Sequence, residues 1–121
     1  MAKILRVDDD LETIKLLEAV VQMDGHETAH VQESRSAIQV VESFMPDVVL
    51  LDIMMPDING IAVCKLIKSN PHTKNIKVMM VSALSDDGSR KDSQNAGADQ
   101  FVTKPILPRL FTQQVRDLLS A

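Results

Sequence analysis

Val48-Val49-Leu50-Leu51-Asp52 is a run of aliphatic residues that stops at a carboxylate. A short apolar stretch with no polar residue in it reads as a strand buried on both faces. Three further runs stop at polar residues. Ile4 to Val7 leads into Asp8-Asp9-Asp10, Val78-Met79-Met80-Val81 into Ser82, and Phe101-Val102-Thr103 into Lys104. If these runs are parallel strands, carboxylates, a hydroxyl and an ammonium gather at one edge of a sheet. That is a site for a divalent cation and a phosphoryl group, with Asp52 the candidate for covalent modification.

Working outward, strands are expected at Lys3–Val7, Glu27–Val31, Asp47–Leu51, Ile76–Val81 and Asp99–Thr103. Between them, Leu11–Met23 places Leu11, Ile14, Leu17 and Val21 on one helical face, and Ser36–Phe44 does so with Ala37, Ile38, Val41 and Phe44. Gly60–Ser69 and Asp87–Ala96 are the next helices, and Leu107–Leu119 closes the chain. The boundaries have local causes: Asp9 and Glu12 form a capping-box pattern, Gly25 and Gly97 follow helices, and Pro108 suits a first turn.

Strand and helix alternate five times, which implies an α/β domain with a parallel sheet covered on both faces. Right-handed crossovers and the domain's size favour a flavodoxin-like, doubly wound, five-stranded sheet of order 2-1-3-4-5 with five helices. The first and third strands are then neighbours, and their carboxyl ends flank the switch point where such folds bind ligands. Asp8, Asp9 and Asp52 meet there, with Ser82 and Lys104 brought by the next two strands.

At 121 residues the chain fits one domain, residues 1–121, and 45% apolar residues suffice for its core. Aromatics are only 2%, and the net charge is −4 with no cluster of Lys and Arg, which argues against nucleic acid as a partner. No stretch approaches the ~18 apolar residues of a membrane span, and no signal peptide is evident, so a cytoplasmic protein is expected. Cys64 has no second cysteine to pair with, and its neighbours Ile61, Val63, Leu66 and Ile67 predict a buried, inert thiol.

Clustered carboxylates repel one another, each pair by roughly 4 kcal/mol at 4 Å and an effective dielectric near 20. Lys104 alone does not offset this, whereas Mg²⁺ does, and it needs only one or two carboxylates plus a phosphate oxygen. Asp9 and Asp52 are expected as direct ligands, with Asp8 acting directly or through water. A helix cap explains one of Asp8, Asp9 and Asp10, not all three. A carboxylate can act as nucleophile toward phosphorus, and the transfer mainly requires positive charge on the equatorial oxygens. Mg²⁺, Lys104 and the Ser82 hydroxyl supply it.

Over nearly the whole chain these residues resemble the receiver domain of two-component response regulators. The matching stretches are Ile4 to Asp9, Pro46 to Gly60 with Asp52 at its centre, Val81-Ser82-Ala83, and Gly97 to Pro105. The resemblance implies that Asp52 is phosphorylated by a sensor histidine kinase or histidine phosphotransfer protein. It matches Asp8 and Asp9 to the family's acidic pair, Met54 to the residue lending Mg²⁺ a backbone carbonyl, Ser82 to its switch hydroxyl, Phe101 to its switch aromatic and Lys104 to its lysine. It also implies a cis peptide bond at Lys104-Pro105 and a phosphorylation-dependent homodimer through the 87–119 face. Such a protein is a switch rather than an enzyme, apart from slow loss of its own phosphoryl group. The stretches around Asp52 and Val63 to Lys68 look most like receivers attached to cyclic-dinucleotide synthases or sensor-kinase hybrids. The effector or target is not written in these residues, and the chain reads as a stand-alone receiver or an excised module.

Arg6 departs from the family, which has an aliphatic residue in that strand. An unpaired guanidinium there would be very costly, so it either snorkels past the helices or pairs with an acid such as Glu27 or Asp47. Leu84–Gln94 is unusually polar, which fits either a mobile helix or a charged, solvated surface. Met54 and Leu84 offer no group to orient a water, which predicts a long-lived phosphoryl group. Two other classes compete. An aspartate-nucleophile phosphatase or phosphotransferase resembles Asp-x-Asp-x-Thr after its first strand, but Asp8-Asp9-Asp10-Leu11-Glu12 lacks the Thr. Flavin or nucleotide binding needs a phosphate-cradling loop there, where three aspartates repel phosphate.

Overall fold

The computed structural model describes residues 2–9, 15, 19, 22, 25–55, 57–83 and 87–120. The strands are β1 (Lys3–Val7), β2 (Glu27–Val31), β3 (Val48–Leu51), β4 (Lys77–Ser82) and β5 (Gln100–Thr103). Four helices run through the described residues: α1 (Ser34–Phe44), α2 (Gly60–Ser69), α3 (Asp87–Asn95) and α4 (Pro108–Ser120). The helix expected at Leu11–Met23 falls largely outside the described residues, as do Asp10, Glu12, Leu84 and Asp86. The sheet order is β2-β1-β3-β4-β5, every pair is parallel, and this is the flavodoxin-like order the sequence predicts.

Alternate side chains of the central strands feed two apolar layers. Leu5, Val7, Val49, Leu51, Val78 and Met80 face α1 and α2, meeting Ala37, Val41, Val63, Cys64 and Ile67. Ile4, Val48, Leu50, Met79, Val81 and Val102 face the other way, toward Phe111, Val115 and Leu118 of α4. All of β3 is buried, as its unbroken aliphatic run requires, and each such side chain contributes about 1.5–3 kcal/mol on leaving water.

Two glycines carry backbone constraints. Gly97 follows α3 with φ of 100°, a left-handed conformation that costs glycine nothing. Gly60 opens α2 so close to β3 that a Cβ there would collide with the Asp52 carbonyl oxygen. Its N–H donates to Ile53 O at 3.0 Å, closing the loop after β3.

Arg6 does not reach water. It is 1% exposed and its Nε donates to Ala29 O at 3.3 Å, so snorkelling is ruled out. Asp47, one of the acids offered as its partner, instead accepts from the backbone N–H of Lys3 at 2.8 Å. No helix among the described residues is long and apolar enough to cross a membrane.

Candidate phosphoryl and cation site

The parallel ladder runs one residue past the strand ends. Asp8 N–H donates to Val31 O, and Asp52 N–H donates to Val7 O, each at 3.1 Å. Adjacent β1 and β3 therefore deliver Asp8 and Asp52 side by side at their carboxyl ends, 2% and 7% exposed, while the neighbouring Asp9 is open to solvent. One carboxylate oxygen from each of Asp8, Asp9 and Asp52 lies within 4.8 Å of the other two.

Lys104 arrives from the end of β5 and spans the buried pair. Its Nζ lies 3.1 Å from Asp8 Oδ2 and 3.3 Å from Asp52 Oδ2. Burial works against its charge, yet the attraction of Asp8 and then Asp52 outweighs burial and holds the ammonium above the ordinary lysine value. Its backbone is fixed too, because Lys104 N–H donates to Ser82 O at 2.8 Å. The Lys104-Pro105 bond is cis.

Ser82 ends β4, fully buried, and pairs in register with Thr103. The other Asp52 oxygen, Oδ1, accepts from Met54 N–H at 3.2 Å, so both oxygens of this carboxylate are oriented. The Met54 side chain is 64% exposed at the rim. Phe101 is half-buried on β5, with the Arg90 guanidinium 4.7 Å above its ring. The same guanidinium donates to Thr103 Oγ1 at 3.0 Å. Nothing in the order of residues flags that contact, since it joins positions a helix apart.

The donor set suits a hard cation. It is all oxygen, it is acidic, and exposed Asp9 leaves one side open to water, as Mg²⁺ prefers. Cys64 lies apart from the site, fully buried, with Sγ 3.6 Å from Ala96 O. Desolvation pushes its thiol up to about 11, against a smaller opposing pull from Lys68, as the inert reading requires.

A family model described as the response regulator receiver domain matches residues 4–116. The response regulator PleD of Caulobacter vibrioides is 36% identical over 117 residues, covering 97% of this chain and 26% of that protein. The chain thus spans about a quarter of that relative's length. The signal receiver domain of a signal transduction histidine kinase from Syntrophus aciditrophicus superposes with a TM-score of 0.91 at 32% identity, covering 99% of this chain and 91% of that one. A BeF3-activated DrrB receiver domain gives 0.90 at 30% identity, covering 100% and 99%.

Proposed function

This chain belongs to the response regulator receiver domain family of two-component signalling, and from that footing we propose that Asp52 is its phosphoryl acceptor. The observation that carries the reading is Lys104 Nζ held between Asp8 and Asp52 at the ends of neighbouring strands. A partly buried ammonium shared by two carboxylates is poised to meet phosphoryl oxygens as they arrive.

Asp8, Asp9 and Asp52, with the Met54 backbone carbonyl, would hold Mg²⁺. When bound, that ion supplies positive charge at the transferring group. An Asp52 oxygen attacks the phosphorus of a donor phosphohistidine, and the O–P bond forms as the N–P bond breaks. The Met54 N–H and Lys104 hold the Asp52 carboxylate in place for this attack. Lys104 then donates to a phosphoryl oxygen, and the Ser82 hydroxyl moves to donate to another. Stabilisation of developing charge is the main demand of phosphoryl transfer.

Ser82's movement vacates space beside β5 that the Phe101 ring can enter, and the ring must then leave its stack with Arg90. Phe has no hydroxyl, so the two states differ little in surface polarity, and the 87–119 face changes mainly in shape. That face is where a homodimer or a target protein docks. The donor is a sensor histidine kinase or histidine phosphotransfer protein, the setting is cytoplasmic, and the domain acts as a switch rather than an enzyme.

Incubation with a small phosphodonor and Mg²⁺, followed by intact mass, tests the reading. Wild type should gain one phosphoryl group and Asp52→Asn none. Labelling that survives the substitution would overturn the assignment.

A further inference from the structure

The loop between β3 and α2 orients Asp52 through the Met54 N–H and ends where Gly60 N–H meets Ile53 O. Those contacts fix its two ends. Between them, Asp57 sits at φ of 71°, a conformation that non-glycine residues adopt only when their surroundings impose it.

Among the described residues, two side chains hydrogen-bond to this middle section, both from the first turn of α1. Ser34 Oγ accepts from Ile58 N–H at 3.1 Å, and Arg35 Nη2 donates to Asp57 Oδ1 at 3.2 Å. Ser34 is buried, whereas both Arg35 and Asp57 are largely exposed. The hydroxyl is therefore the stronger tether and the ion pair the weaker one. A serine at a helix start ordinarily caps its own helix. Here the N-cap position is Glu33, whose side chain makes no capping bond, and the Ser34 oxygen serves the loop.

We propose that Ser34 is a positioning residue for the chemistry at Asp52. Its hydroxyl holds the loop at Ile58 N–H, and so helps fix the backbone of Met54, whose N–H orients Asp52 and whose carbonyl would be offered to Mg²⁺. The inference rests on the phosphoacceptor reading and adds a residue that touches neither phosphoryl group nor ion. Without the hydroxyl, Ile58 N–H loses its acceptor, and the weaker, exposed Arg35–Asp57 pair is left to hold the middle of the loop.

The test compares Ser34→Ala, Ser34→Cys and Ser34→Thr in three measurements: calorimetric titration with Mg²⁺ alone, labelling by a small phosphodonor, and thermal melting. Ser34→Ala and Ser34→Cys should weaken Mg²⁺ binding by about three- to tenfold, the range of one net hydrogen bond, and slow labelling in step. Ser34→Thr keeps the hydroxyl and should stay within about twofold of wild type. Val115→Ala, in the opposite apolar layer, should lower Tm with Mg²⁺ affinity unchanged. If Ser34→Ala does not fold, Ser34→Cys, which preserves volume, answers in its place. A Tm loss in the Ser34 variants with Mg²⁺ affinity and labelling both at wild-type values would overturn the positioning role alone. A wild type that neither binds Mg²⁺ nor labels would remove the phosphoacceptor reading and this inference with it.

Discussion

Replacing Lys104 with Met removes one charge from the centre of the site and keeps most of the side chain's volume. With Nζ 3.1 Å from Asp8 and 3.3 Å from Asp52, each attraction is of order 5 kcal/mol before desolvation at an effective dielectric near 20. The Lys104 side chain is 19% exposed, so screening removes only part of this. Burial cancels most of the remainder, and breaking a buried pair typically costs about 3 kcal/mol. For a domain of this size that lowers Tm by roughly 10 °C. The same substitution relieves the competition between ammonium and cation for two carboxylates. Mg²⁺ should therefore bind Lys104→Met more tightly than wild type, by about tenfold, and restore part of the lost Tm. Labelling by a phosphodonor should nevertheless slow by about 10²–10³, the usual effect of removing one donor aimed at developing charge. The opposite signs are the signature: calorimetry shows tighter Mg²⁺ binding while the labelling rate collapses. Weaker Mg²⁺ binding, or labelling at the wild-type rate, would refute the electrostatic role given to Lys104.

Other expectations follow from the same contacts. Gly60→Ala pushes a methyl onto the Asp52 carbonyl, so chemical denaturation should show a loss of about 1–3 kcal/mol, accompanied by slower labelling. Burial lifts the Cys64 thiol to about 11 from 9.0; its native form therefore holds the proton more tightly than the unfolded chain does. Its contribution to stability is complete below pH 9 and declines as pH rises through 9.0 to about 11. Alkylation of Cys64 at neutral pH should proceed only through unfolding, as measured against the denatured protein. Met54→Asn places a group able to orient water at the exposed rim beside Asp52, and the half-life of the phosphorylated form, followed by mass, should shorten about threefold or more.

Much of the fold was legible because β3 and the Val78–Val81 stretch of β4 are unbroken apolar runs that only a sheet covered on both faces accommodates. The same logic fixed the site, since the residue after each such run must emerge at the sheet's carboxyl edge. The Gly60–Ser69 helix keeps its expected bounds, and Asn59 fixes its start by accepting from Ala62 N–H at 2.9 Å. Elsewhere the ends moved. β4 continues to Ser82 because the ladder pairs it with Thr103, a backbone matter that a hydroxyl cannot announce. α1 begins at Ser34, two residues before the first expected position, since no side-chain cap marks its start. Contacts away from the sheet's carboxyl edge were not legible: Ser34 on Ile58, Arg90 on Phe101, and the burial of Arg6 beside the Ala29 carbonyl. Each depends on which helix lies over which strand, and local pattern carries no information about that.

Borohydride treatment of the protein after exposure to a phosphodonor and Mg²⁺ tests the central claim most directly, because it reduces an aspartyl phosphate to homoserine where it stands. Peptide mass spectrometry should find homoserine at position 52 and intact aspartate at positions 8 and 9. Homoserine at either of those positions, or none anywhere in a protein that has gained a phosphoryl group, would contradict the account.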